Sequence, residues 1–139
     1  MIYLTRRERF SSAHRLYNPD LSDRENDKIY GPCANPHWHG HNYIMWVTIA
    51  GEVNPQTGYV ADLKEVGKII KEHVIVKLDH KNINVEVDFM KGQFISTENL
   101  AMGIWDQLEA PFTAMGVKLH SVKIEETENN TVEYFGKET

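Results

Sequence analysis

Apolar residues recur along this chain with two periods. Ile2 to Ser12 alternates imperfectly, broken by Arg6, Arg7 and Arg9, and is a first strand candidate. His41 to Val53 is rich in β-branched and aromatic residues and closes at Asn54-Pro55-Gln56-Thr57-Gly58, so it predicts a long strand ending in a turn. Leu63, Val66, Ile69, Ile70, His73 and Val74 then follow helical spacing behind a capping pair, Asp62 and Glu65. A second helix is expected from Ser96-Thr97. Leu100, Ala101, Ile104, Trp105 and Leu108 form its stripe, and Pro111 is expected to end it. Val117 to Thr127 and Thr131 to Phe135 predict two strands joined at Glu128-Asn129-Asn130. Between the first two strands, Ser22-Asp23-Arg24-Glu25 is a capping box, so a short helix is expected near Asp23.

The order is β-β-α-α-β-β. Strands in adjacent pairs with short turns predict antiparallel pairing, and two amphipathic helices need one face of a sheet to cover them. The expectation is an α+β domain over residues 1–139, with a four-stranded antiparallel sheet and two helices on one face. The other face would then need a partner, which points towards oligomerisation.

Composition narrows the function. The chain has 139 residues, 41% of them hydrophobic, which suits one globular domain with a real core. A net charge of −5 argues against a nucleic-acid binder that relies on a general basic field. A single cysteine excludes an internal disulfide framework. No apolar run approaches the roughly 18 residues needed to span a bilayer, and the N-terminus lacks signal-peptide order. A cytoplasmic location is therefore expected.

The chemistry concentrates in Cys33-Ala34-Asn35-Pro36-His37-Trp38-His39-Gly40-His41-Asn42-Tyr43. His37, His39 and His41 share a face if this stretch is extended. Same-face neighbours lie about 6.7 Å apart on a strand, so two imidazoles can converge on one ion while three in line span about 13 Å. A tetrahedral site therefore needs two of the three and a distant ligand. His39 and His41 are the tighter pair, because Gly40 allows close backbone approach. The distant ligand could be His14, His37, His73, His80 or His120. Neutral imidazoles without a second cysteine favour Zn²⁺. Three protein ligands with an open fourth position would mark a catalytic ion.

Cys33 lies in a Gly-Pro-Cys-Ala-Asn-Pro loop rather than on an apolar stripe, so it is a candidate base or nucleophile as well as a small buried residue. In Leu78-Asp79-His80-Lys81-Asn82, a carboxylate could orient an imidazole if the loop folds back. Of Glu125 and Glu126, one is expected to face solvent and the other could receive an amide-rich ring edge.

Together these residues resemble the 6-pyruvoyltetrahydropterin synthase family. The resemblance runs through Phe10-Ser11-Ser12-Ala13-His14-Arg15-Leu16, Cys33 to Tyr43, Leu78 to Asn82, Ser96-Thr97-Glu98-Asn99 and Glu126-Thr127. Cys33, five residues, then His-Gly-His-Asn-Tyr matches the pyruvoyl-forming branch. The related 6-carboxytetrahydropterin synthases of queuosine biosynthesis typically have a shorter gap.

The resemblance implies the tunnelling fold and a homohexamer built as a dimer of trimers. It implies zinc held by His14, His39 and His41, and Cys33 as the proton-abstracting thiolate. Asp79 and His80 would be an acid/base pair contributed by a neighbouring subunit. Glu126 would anchor the pterin, with Thr97 and Glu98 against the same ring. The implied substrate is 7,8-dihydroneopterin triphosphate, and no redox cofactor is needed; correspondingly, the chain has no Gly-rich dinucleotide loop. His37-Trp38 departs from the family, which usually has small or amide residues there, and His37 is expected to cap the pocket rather than perturb the metal. Arg15, Lys28 and Lys81 are candidates for the triphosphate.

Three rival readings remain: the 6-carboxytetrahydropterin reaction, a plain zinc hydrolase that leaves Cys33 without a role, and a non-catalytic zinc or pterin-binding module.

Overall fold

The computed structural model describes residues 1–138. Its frame is a twisted sheet of two 13-residue strands, β1 (Ile2–His14) and β2 (His39–Gly51), extended by β4 (Lys118–Thr127) and β5 (Asn130–Tyr134). All four pair antiparallel, as the sequence pattern predicts. A fifth strand, β3 (Lys81–Asn82), adds two residues parallel to β1 at Ser12 and Ala13, giving the order β3-β1-β2-β4-β5. So short a strand has no periodicity to read, and only the packing of its neighbours creates it.

Two long helical runs pack against one face of the sheet. Helix α1 (Asp23–Tyr30) starts where the capping box predicts, with the Ser22 hydroxyl accepting from Glu25 N at 3.1 Å. Helix α2 (Leu63–Ile70) begins at Asp62, whose carboxylate accepts from Lys64 N at 2.9 Å. It continues through a π turn at Lys71–Ile75 into α3 (Val76–Leu78). Val66, Ile70, Val74 and Leu78 stay buried along the whole run. A short α4 (Ile83–Glu86) follows β3.

Helix α5 (Thr97–Ala114) starts at the predicted Ser96 cap but does not stop at Pro111. Proline removes one helical hydrogen bond and crowds the preceding turn. Phe112 is nevertheless fully buried, and Val117 N bonds back to its carbonyl at 3.1 Å. Burying a phenylalanine stabilises by about 1.5–3 kcal/mol, which offsets much of the roughly 3 kcal/mol that an interior proline costs.

The core lies between the helices and the inner sheet face. Phe10, Tyr43, Met45, Val47, Ile49, Val122 and Ile124 meet Leu100, Ile104, Leu108 and the α2–α3 stripe. The arginines that disturb the first strand now separate by face. Arg7 and Arg9 project outwards opposite Trp46 and Ile44. Arg6 lies inwards, where it pairs with Glu8 at 2.9 Å and packs along Gly67 of α2. The outer face bears polar cross-strand contacts, including Thr5–Thr48 and Ser11–Asn42, each 2.7 Å.

Candidate active site

The antiparallel register of β1 and β2 builds the centre of the site. It sets His14 directly opposite His39 and Ser12 opposite His41. Because side chains alternate along a strand, His14, His39 and His41 all face inwards with Phe10 and Tyr43. Their ligand-capable nitrogens lie within 4.8 Å of one another. His14 is therefore the distant partner, and His39 and His41 are the local pair. The reason offered for that pair needs correction. A Cβ built at Gly40 would meet only the Ser12 carbonyl, at 3.7 Å, an ordinary contact. Strand alternation, not glycine, converges the two rings.

Each ring presents a nitrogen with no hydrogen-bond partner. His14 Nε2, His39 Nδ1 and His41 Nε2 are all buried and unpaired. His14 Nδ1 donates to the Ile95 carbonyl at 2.7 Å, which leaves the lone pair on Nε2. Unpaired buried nitrogens are costly, and three aimed at one point fit the donor set of a divalent ion such as zinc. Burial holds His14 and His39 below the usual histidine pKa, with neighbouring imidazoles adding to the effect, so both favour the neutral form that binds metal.

Glu126 completes this cluster. It leaves β4 on the face shared with Ile124, and its Oε2 accepts from Thr97 Oγ1 at 2.5 Å. Its carboxylate oxygens lie 3.5 Å from His41 Nε2 and 3.7 Å from His14 Nε2. Thr97 and Glu126 are thus joined, while Glu98 in the first turn of α5 is exposed and takes no part in their contact. Tyr43, which the sequence reading did not single out, stacks on Phe10 at 4.8 Å, and its buried hydroxyl has no partner. Burial and the Glu126 charge push its pKa up, so it stays a neutral phenol. Its place in His-Gly-His-Asn-Tyr was a usable signal: two residues beyond His41, on the same face.

Cys33 lies on a 3-10 turn, Gly31–Ala34, and is half-buried. Its carbonyl accepts from Leu16 N at 2.8 Å, two residues beyond His14. Arg15 Nη2 grips the next carbonyl, Ala34 O, at 2.8 Å, and its guanidinium lies 4.1 Å from the Tyr17 ring centre and 5.8 Å from that of Trp38. Arg15 is thus engaged by the cysteine turn. Trp38 has φ +67°, in the left-handed region that costs a non-glycine residue about 1–3 kcal/mol. His37 is exposed, and its backbone N–H bonds Asn35 Oδ1. His73 lies on the π turn, and His120 packs against Tyr3 at 4.4 Å, so none of these three joins the triad.

Asp79 and His80 do form a pair. His80 Nδ1 lies 3.0 Å from Asp79 Oδ2, and the loop folds back because both residues are tied to β1. Ser11 N donates to Asp79 Oδ1 at 2.9 Å, which holds that carboxyl below its ordinary pKa, and His80 N donates to Ser11 O at 2.6 Å. His80 has φ +59° and a largely exposed ring. With Lys81 and His41 it lines a shallow hollow at the ends of β1 and β2, while Lys28 is exposed on α1.

Known proteins resemble this chain over almost its whole length. A family model described as 6-pyruvoyl tetrahydropterin synthase matches residues 3–137. The 6-pyruvoyl tetrahydrobiopterin synthase of Dictyostelium discoideum is 50% identical over 136 residues, 98% of this chain and 97% of that protein. The synthase of the same name from Homo sapiens is 45% identical over 134 residues, 96% of this chain and 91% of the other. The structure of Caenorhabditis elegans 6-pyruvoyl tetrahydropterin synthase superposes with a TM-score of 0.89 at 36% identity, covering 98% of this chain and 96% of that one. The chain belongs to the 6-pyruvoyl tetrahydropterin synthase family.

Proposed function

We propose that this protein is a zinc-dependent 6-pyruvoyltetrahydropterin synthase, a lyase that converts 7,8-dihydroneopterin triphosphate into 6-pyruvoyltetrahydropterin and triphosphate. The observation that carries the reading is the convergence of three unpaired imidazole nitrogens beside a carboxylate held by Thr97. Membership of a family whose named relatives are synthases of this kind supports it.

In this reading His14, His39 and His41 hold the ion, and the Ile95 carbonyl fixes the His14 tautomer. The three nitrogens would hold a divalent ion, which would supply Lewis-acid polarisation to the substrate's side-chain hydroxyls. Cys33 accepts the proton from the adjoining side-chain carbon as a general base. Glu126 receives the N–H edge of the pterin through paired, charge-assisted hydrogen bonds, and Thr97 orients its carboxylate. Asp79 orients His80, and the pair moves the remaining protons. Triphosphate leaves by elimination, and the carbon that carried it becomes a methyl group. Two side-chain carbinols rise to ketones, and the electrons they release reduce that methyl carbon and the ring, which reaches the tetrahydro level, so electrons balance within the substrate.

The proposed assembly is a homohexamer in which Asp79 and His80 serve a neighbouring subunit. The exposure of the His80 ring supports that arrangement. The proposed location is the cytoplasm; no helix among the described residues is long and apolar enough to cross a membrane.

The test is to incubate pure protein with the triphosphate substrate, follow triphosphate release and identify the pterin by mass spectrometry. The expected product is the pyruvoyl compound. Release of 6-carboxytetrahydropterin with acetaldehyde would assign the queuosine-type reaction instead. Chelation is expected to stop turnover while circular dichroism stays unchanged, and unfolding on chelation would favour a structural zinc module.

A further inference from the structure

Building on the proposed zinc site, we infer that Glu126 has a second use: before substrate arrives, its carboxylate is the fourth ligand of the ion held by His14, His39 and His41.

The geometry of the carboxylate carries this. Zinc binds imidazole nitrogen and carboxylate oxygen at about 2.0–2.2 Å, so two ligands on a tetrahedral ion lie about 3.4 Å apart. Glu126 Oε1 is 3.5 Å from His41 Nε2, and Oε2 is 3.7 Å from His14 Nε2. Each distance matches the spacing of two neighbouring ligands around one ion, and a swing of the carboxylate is needed to bring one oxygen within reach of all three imidazoles, whose nitrogens cluster within 4.8 Å of one another. The two carboxylate distances are too long for good hydrogen bonds to imidazole.

The polarity of these contacts points the same way. His14 Nδ1 carries the proton that goes to the Ile95 carbonyl, so Nε2 turns a lone pair towards Glu126 Oε2. Two acceptors then face each other at a buried nitrogen, an arrangement that a shared cation stabilises. The Thr97 hydroxyl donates to Oε2, the oxygen that faces His14. Metal-binding carboxylates commonly have such an outer hydrogen bond.

Glu126 is more accessible than the His14 ring it faces. Its side chain is 27% exposed, whereas that of His14 is 3% exposed. The imidazoles are fixed in the strands while the carboxylate lies at the rim, where an incoming pterin edge can reach it. Substrate binding then frees a coordination position as it engages the carboxylate. The ion is closed while idle and opens only when the ring is in place.

The experiment compares the intact wild-type protein with Glu126→Gln, which keeps an acceptor for Thr97. Zinc affinity is measured by competition with a chromophoric chelator, and zinc-induced infrared difference spectra follow the carboxylate bands. Losing an outer-shell partner costs metal affinity about 10–100-fold, so loss of a direct ligand should weaken zinc by at least about tenfold. Zinc should shift a carboxylate band in the wild type, the shift should be absent in Glu126→Gln, and dihydroneopterin should reverse it in the wild type. Equal affinity in the two proteins overturns the inference. So does weakened affinity without a wild-type carboxylate shift, which would make Glu126 a distant charge only. Zinc bound by the histidines alone leaves the synthase reading intact, whereas no zinc binding in the wild type removes both.

Discussion

His14, His39 and His41 stand on the two longest strands, while Cys33 stands on a short turn in the segment that links them. Cross-strand registry and the packing of His14 and His41 against Tyr43 fix the histidines. The turn is held by a few separate bonds, Leu16 N to Cys33 O and Arg15 Nη2 to Ala34 O. A ligand set needs fixed distances, which a sheet supplies. A group that removes a proton must meet a substrate from the solvent side, which a loop allows. Metal binding and proton transfer should therefore separate by mutation.

The largest effect is expected from His39→Ala. Removing one of three ligands should weaken zinc by more than about 100-fold, beyond the loss of an outer-shell partner, and take turnover with it. Equilibrium dialysis with zinc checks it. Retained affinity would mean that strand geometry does not define the metal site. Cys33→Ala should lower kcat by about 10²–10⁴-fold, the range of a general base, while zinc content by mass spectrometry stays unchanged. Activity that survives with zinc in place would remove Cys33 from the mechanism.

The smallest effect is one of pH on the metal-free protein. His14 and His39 titrate below 6.5 when folded, chiefly through burial, and near 6.5 when unfolded. The unfolded chain thus binds more protons in this window, so their share of stability is present above about 6.5 and lost as pH falls. The melting temperature of the metal-free protein should decline from about pH 7.5 to about pH 5.5. Asp79, held below its ordinary value, stays charged across this range and adds nothing to the slope. A flat melting profile would mean that the strand-borne rings take up protons freely.

The amino-acid pattern by itself determined the four antiparallel strands, the three helix starts at Ser22, Asp62 and Ser96, and the pairing of His39 with His41 on one strand face. These features are encoded over short range by alternation, caps and ligand spacing, so they survive without tertiary information. Only the tertiary structure decided which histidine completes the triad geometrically, because His14 meets His39 through a register spanning the segment between β1 and β2. It also decided that Pro111 lies inside a helix, that two residues after His80 form a strand, and that the Ile95 carbonyl orients a ligand. Each of these depends on a burial energy or a backbone group contributed by a distant segment, and neither leaves a periodic trace in the chain.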